Sequence, residues 1–436
     1  MAAWPVWSTW GPAAMAERGE PERYVGLISG TSADGIDAAL LTVEAPIGAA
    51  LPEMALDAFL TEPFADGDRE RILAAAAAEA GSDALAELRR DLGGWFGDVA
   101  RSLLAAAGVE PYGVTAVGCH GQTVWHRPPT AGRPGTSLQL VDPAVLAARV
   151  GAPVVHDFRS ADLAAGGEGA PLVPWPDRVL FSREAEAVAL QNLGGMGNVT
   201  WLPPRGLDEA PLAFDTGPAN ALLDVCAGLA SGGARRLDED GRLASRGTVD
   251  EALLRELLAD PFFDQPPPRS TGREYFGPER VRALVTERGL TPSSGTGSDG
   301  AGWADLAATF VAFTVESVAR ALERWVVPLG VDRIVLTGGG ARNPLITQGL
   351  RTRLAPLPVE WGAEALGMDP DAREAAAFAV LAWAFVHGVP GNVPRATGAG
   401  KGVVLGSWTP APGGDRGWPW RREPVVAPRS AESRSQ

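Results

Sequence analysis

Lysine is almost missing from this chain. Of its 436 residues only Lys401 is a lysine, so nearly all of the positive charge is arginine. The phosphate loop Gly-x-x-x-x-Gly-Lys-Ser/Thr is therefore excluded, as is an ATP lysine of the protein-kinase kind. Any nucleotide must be held by backbone, hydroxyls, arginine and metal. Cysteine is nearly as scarce. Cys119 and Cys226 stand too far apart for a disulfide framework or a zinc site, and they read as small buried residues suited to a reduced compartment. His126 and His156 lack metal-ligand spacing with any neighbour and are expected to be structural. No apolar run is long enough to span a bilayer: the best, Ala372 to His387, has Arg373 and Glu374 at its start and is closed by Gly388. A net charge of −15 argues against nucleic-acid and anionic-membrane partners. No Gly-x-Ser-x-Gly elbow supports a serine hydrolase. The N-terminal stretch lacks a basic start followed by an apolar run, so the cytoplasm is expected, and Met15 is an alternative start.

What is present is glycine, in turns that repeatedly end strand-like runs. At 45% hydrophobic and 21% charged, the chain can bury a substantial core and is long enough for two domains. Its most informative stretch, Gly26 to Asp37, places glycines, hydroxyls and two carboxylates between the apolar runs Tyr24 to Ile28 and Ala38 to Val43. Glycine there lets backbone N–H groups approach an anion, and Thr31 and Ser32 add hydroxyl donors. Asp34 and Asp37 need a Mg²⁺ ion before they can engage a phosphate. An ordinary glycine-rich hairpin is the alternative.

The same logic recurs downstream. Ala187 to Leu193 leads into Gly194-Gly195-Met196-Gly197-Asn198 and a returning strand at Val199 to Leu202. Leu212 to Phe214 leads into Asp215-Thr216-Gly217-Pro218-Ala219-Asn220 and a helical pattern, and Arg333 to Leu336 leads into Thr337-Gly338-Gly339-Gly340-Ala341-Arg342-Asn343. Between these, Asp68 to Ala107 reads as two or three helices interrupted near Gly81 and Gly93-Gly94. A strand at Val114 to Cys119 is followed by the polar turn His120-Gly121-Gln122-Thr123, at a strand end of the kind where open α/β sheets bind ligands. A helix is expected over Asp142 to Val150, a strand over Pro153 to Asp157, then a glycine-rich loop from Arg159 to Pro171, and an apolar helix over Ala375 to Phe385.

Eight segments occur here in the order seen in the anhydro-N-acetylmuramic acid kinases, and the chain resembles that family over about residues 24 to 410. They are Gly30-Thr31-Ser32-Ala33-Asp34-Gly35-Ile36-Asp37, His120-Gly121-Gln122-Thr123, Asp157-Phe158-Arg159, Gly166 to Pro174, Asn192-Leu193-Gly194-Gly195, Phe214 to Pro218, Ser270-Thr271-Gly272-Arg273-Glu274 and Gly338 to Asn343.

The resemblance implies an α/β, two-domain actin-like ATPase fold of the sugar kinase, hsp70 and actin type, with a central nucleotide cleft. Residues 24–157 would form a first domain completed by about 393–410, and 158–392 a second, with disordered ends at 1–23 and 411–436. The implied reaction uses ATP and Mg²⁺. Water adds at C1 of 1,6-anhydro-N-acetylmuramic acid while O6 takes the γ-phosphoryl group, giving N-acetylmuramic acid 6-phosphate and ADP in peptidoglycan recycling. Asp215 is the implied base; the residues alone leave it equal to a helix cap. Gly30, Thr31 and Ser32 would meet the phosphates, with Asp34 near the metal, Gly194 and Gly195 facing them, and Gly338, Gly339, Gly340 and Asn343 at the nucleoside end. Arg159 suits the lactyl carboxylate, Glu374 is a polar contact or an exposed first-turn acid, and His120 and Gln122 line the sugar site. A homodimer is carried over from the family. Where the family writes Gly-Pro-Gly-Asn this chain has Ala219, which would cost about 1 kcal/mol if that position needs positive φ. The alternatives are a kinase for another anhydro sugar such as levoglucosan, or a non-catalytic nucleotide sensor of the same fold.

Overall fold

The computed structural model describes residues 21–44, 51–130, 132–290 and 299–412. Met15 and nearly all of the two expected disordered ends lie outside the described residues.

The first sheet is built from β1 (Arg23–Ser29), β2 (Gly35–Val43), β3 (Met54–Pro63), β4 (Ala116–Arg127), β5 (Thr136–Leu140) and β6 (Val154–His156). The second contains β7 (Val188–Leu193), β8 (Met196–Leu202), β9 (Leu212–Pro218), β10 (Arg333–Thr337) and β11 (Val359–Trp361), and β12 (Ser407–Thr409) returns to the first. In the first sheet β2 lies antiparallel between β1 and β3, while β4 and β6 extend it in parallel on the other side of β1. In the second, β8 lies antiparallel between β7 and β9, and β10 and β11 extend it in parallel beyond β7. Both halves therefore repeat one topology, a hairpin-first mixed sheet. This is the actin-like arrangement expected from the sequence.

The principal helices are α1 (Asp66–Ala76), α2 (Ser82–Ala107), α3 (Pro143–Val150), α4 (Pro174–Phe181), α5 (Ala221–Ala230), α6 (Asp299–Trp325), α7 (Pro344–Arg353) and α8 (Arg373–Val386). Each sheet is covered on both faces, which is why its central strands read as continuous apolar runs rather than alternating ones. In β1, Val25 and Leu27 pack with Phe96 and Leu103 of α2, whereas Tyr24 and Ile28 pack with Ala375, Phe378 and Ala379 of α8. In the second sheet Ile334 and Leu336 meet Phe310 and Phe313 of α6, and Val335 with Val188 and Leu190 meets Phe181 and Leu366.

Two glycines decide how closely α8 approaches. A Cβ on Gly26 would fall onto the Ala375 carbonyl, and one on Gly118 onto the Phe378 carbonyl. The helix backbone therefore rests directly on β1 and β4, and the segment from Arg373 packs on the first sheet.

Two sequence expectations change. Gly81 does separate two helices, but α2 runs unbroken through Gly93-Gly94; a Cβ at Gly93 would sit 2.6 Å from the Asp142 carbonyl, so this glycine serves close helix packing rather than a break. The strand expected to end at Cys119 continues to Arg127. Gly121, at φ +74°, marks a bulge where the pairing with β1 slips between Leu27 and Ser29, and the slip re-aims His120 and Gln122 without ending the strand.

Candidate active site

The first hairpin joins β1 to β2. Its turn closes through Ala33 N–H donating to the Gly30 carbonyl at 3.1 Å, with Thr31, Ser32 and Asp34 exposed. Asp34 faces Arg69 of α1 at 3.4 Å, and Arg69 also donates to the Ser32 carbonyl. Gln122 fastens the hairpin from below. It accepts from Ser29 Oγ at 2.6 Å and donates to the Gly30 carbonyl at 3.2 Å, and it is 1% exposed. Its amide is thus committed to shaping the turn. Asp37 lies along β2, where Thr61 Oγ1 donates to it at 2.6 Å; burial pushes its carboxyl up, opposed by that bond, and Asp371 pushes it further.

Within β4, His120 is buried and pairs with the partly buried Arg159. Arg159 donates through Nε and Nη2 to His120 Nε2, at 3.2 and 2.9 Å, and through Nη1 to the Gly169 carbonyl at 2.6 Å. His120 Nδ1 lies 3.0 Å from the Gly121 carbonyl and so carries the ring proton. Burial and Arg159 hold the imidazole down at about 3, so it stays neutral. Arg159 itself is lowered to about 10 by desolvation, with Glu374 and Asp162 opposing. No carboxylate lies within ion-pair distance of it among the described residues, which leaves a desolvated guanidinium open to an anion. Glu374 is solvent-accessible yet ringed by protein; desolvation raises its carboxyl, Asp37 and Asp177 add to this, and Arg373 and Arg159 oppose it.

The second half contributes Asp215, within β9 and not at a helix start. Its Oδ2 accepts from the Thr271 N–H at 2.8 Å, and Arg269 Nε holds its backbone carbonyl at 2.9 Å. Asn220 occupies the cap position of α5, so the capping alternative for Asp215 falls away. Burial drives the carboxyl up to about 6, against the Thr271 bond and Arg269, and Glu168 and Glu274 add repulsion. Glu168 belongs to the glycine-rich loop that also carries Gly169, so Asp215 and Arg159 address one loop. Ala219 adopts no positive φ, and its N–H donates to the Gly195 carbonyl at 3.0 Å. The positive value falls on Gly217, at +131°, and the alanine carries no backbone strain.

The glycine triplet divides by task. A Cβ at Gly338 or Gly340 would lie 2.9 Å from the Leu193 carbonyl, so these two let β10 close onto the second hairpin. Gly339 has open space before it. Asn343 caps α7, its Oδ1 accepting from Leu345 N–H at 3.0 Å.

Several organising residues escaped the sequence reading because their partners are remote. Asp162, fully buried, accepts from Gly169 N–H, Asn392 and Thr397, and so shapes the loop below Arg159. Arg373 forms a buried two-pronged pair with Asp177 and reaches Thr337 Oγ1 at 3.5 Å, tying α8 to the end of β10. Thr271 Oγ1, beside Asp215, is buried with no hydrogen-bond partner among the described residues.

The profile of the family described as anhydro-N-acetylmuramic acid kinase matches residues 22–411. Proteins named anhydro-N-acetylmuramic acid kinase are similar throughout. The one from Gloeobacter violaceus is 45% identical over 90% of this chain and 100% of its own length, and that from Caldanaerobacter subterraneus subsp. tengcongensis is 40% identical over 89% and 96%. Among solved structures, the ROK hexokinase from Thermus thermophilus aligns at 15% identity and TM-score 0.33, covering 83% of this chain and 99% of that one. The matched residues run through both hairpins, the Asp215 strand and the glycine triplet, and the chain belongs to the anhydro-N-acetylmuramic acid kinase family.

Proposed function

We infer that this chain is an ATP-dependent kinase that hydrolytically opens 1,6-anhydro-N-acetylmuramic acid and phosphorylates O6, in peptidoglycan recycling. The observation that carries the mechanism is Asp215: a carboxylate desolvated enough to be raised to about 6, still oriented by the Thr271 N–H, and placed beside the loop that engages Arg159. A base with that affinity for protons is ionised at neutral pH and able to hold a proton in the transition state. Asp215 takes the proton of water as the water oxygen bonds to C1. The C1–O6 bond breaks, O6 bonds to the γ-phosphorus, and the bond from that phosphorus to the departing ADP oxygen breaks.

Arg159 receives the lactyl carboxylate, and His120, held neutral, orients it. Glu374 is a polar sugar contact. Gln122 supports the hairpin from behind, while Gly30, Thr31 and Ser32 bind phosphate. Gly194 and Gly195 face them from the second half, and Gly339, framed by Gly338, Gly340 and the Asn343 cap, meets the nucleoside. Asp34, exposed on the first hairpin, is the residue that would hold Mg²⁺ jointly with the phosphates, as that ion prefers. The ion supplies charge neutralisation across the phosphate oxygens.

The boundary expected at 392 moves to 372: we place two lobes at 24–157 with 373–410 and at 158–372, because α8 rests on β1 and β4 and β12 pairs with β6. They close over ATP and sugar, with compaction in small-angle scattering as the check. A homodimer in the cytoplasm completes the proposal; sedimentation at one protomer mass would overturn the dimer. The deciding assay is phosphate transfer from ATP to anhydro-N-acetylmuramic acid, N-acetylmuramic acid and levoglucosan, read by mass spectrometry. A product heavier by phosphate plus one water from the first sugar supports the reading. Reaction of levoglucosan alone overturns the substrate, and ATP binding without transfer favours the sensor.

A further inference from the structure

A phosphate-transferring site in a chain whose single lysine is Lys401 needs its mobile positive charge from arginine. Arg69 is committed to Asp34 and the Ser32 carbonyl, Arg373 to Asp177, Arg269 to four backbone carbonyls, and Arg342 to Asp371. Arg273 is different. Its residue is exposed and forms no ion pair among the described residues, yet its guanidinium lies on the second hairpin: a Cβ built on Gly195 would be 3.2 Å from Nη2 and 3.3 Å from Nε.

The backbone beneath it is fixed. The Gly272 carbonyl accepts from both the Tyr275 and Phe276 N–H groups, at 3.1 and 2.9 Å, Phe276 is fully buried, and Gly277 lies so close to the Arg273 carbonyl that no Cβ fits. Two residues upstream, the Thr271 N–H grips Asp215. One rigid turn therefore carries both the group that orients the base and a free cation resting on glycine. Asp224, in the first turn of α5, is the acid whose charge Arg273 offsets; that carboxyl is pushed up to about 6 by burial, with Arg273 opposing and Asp238 reinforcing.

We propose that Arg273 is a catalytic cation of this kinase, binding the β- and γ-phosphates of ATP over the Gly194–Gly195 turn and neutralising charge on the transferring phosphoryl oxygens. This rests on the kinase reading above. A planar fork lying across a glycine turn can offer paired N–H donors to a phosphate while the turn presents backbone on the same side.

The test compares wild type with Arg273→Ala and Arg273→Lys in full-length protein, measuring ATP and AMP affinities by calorimetry and turnover of anhydro-N-acetylmuramic acid. With Arg273→Ala, ATP affinity should fall about tenfold or more while AMP affinity holds, because the lost bonds are charge-assisted and made only to the outer phosphates. Turnover should fall ~10²–10³-fold, with sugar KM little changed and partial recovery in Arg273→Lys or on adding guanidinium ions. Equal weakening of ATP and AMP would put Arg273 at the nucleoside and overturn the assignment, as would turnover within about threefold of wild type. Wild type inert on the sugar would strike the substrate reading alone, and the ATP-to-AMP ratio would still decide Arg273. Should Arg273→Ala fail to fold, Arg273→Gln, which keeps bulk and removes the charge, carries the same decision through its ATP-to-AMP ratio.

Discussion

Replacing Asp215 by Asn should sharply lower turnover and, at neutral pH, make the protein more stable. The carboxyl is held near 6 against an ordinary 3.8, chiefly by burial. Its ionised form is therefore ~3 kcal/mol less favourable in the folded than in the unfolded chain, an upper bound because the site is not fully dry. Asn keeps an oxygen to accept the Thr271 N–H, so the swap removes the charge without orphaning that donor. A carboxyl whose folded pKa is raised binds its proton more tightly in the native state, so wild type loses stability as pH rises through the interval between 3.8 and about 6. The loss is complete above that interval and absent below it. Urea unfolding should show Asp215→Asn more stable by about 1–3 kcal/mol at pH 8, with the gap closing toward pH 4. Turnover should fall ~10²–10⁴-fold in the same variant. A gap of equal size at both pH values, or a wild type more stable at pH 8, would refute the claim that Asp215 is an ionised, desolvated base.

Other outcomes follow from the same geometry. In wild type, kcat/KM should decline as pH drops through about 6, when Asp215 takes up its proton, and a profile flat from pH 8 to 4.5 would count against it. Arg159→Ala should raise KM for anhydro-N-acetylmuramic acid about 10–100-fold while barely altering any slow reaction of levoglucosan, which lacks the carboxylate. Equal losses on both sugars would remove Arg159 from the lactyl site. Gly26→Ala should prevent folding or cost several kcal/mol, on the order of 3 or more, since its Cβ meets the Ala375 carbonyl of α8; a melting temperature like wild type would contradict that packing. Gly338→Ala, at φ +78° and against Leu193, should weaken ATP binding and lower stability by roughly 1–3 kcal/mol, whereas Gly339→Ala should leave stability nearly unchanged.

The sequence by itself determined the strands, the hairpins and the chemistry on offer, because those signals are local. Apolar runs bounded by glycine became β1, β2, β7, β8 and β10, and Asp215 at the end of such a run was legible as a candidate base. The near-absence of lysine already left backbone, hydroxyls, arginine and metal as the groups available to hold a nucleotide. What local pattern cannot express is which distant group completes a site. Gln122 was legible as a sugar contact, and only the fold shows its amide bonded to Ser29, 93 residues away, and to the Gly30 carbonyl of the first hairpin. Glycine's meaning was equally tertiary: Gly81 stands at the start of α2, Gly93 lets two helices touch, and Gly26 admits α8 onto β1, three uses of a residue that looks alike in each place. Arg373 and Asp177, 196 residues apart, become partners only once α8 lies on the first sheet. Desolvation likewise exists only in the folded chain, and it is desolvation that lifts the Asp215 carboxyl above its ordinary range and lowers the Arg159 guanidinium.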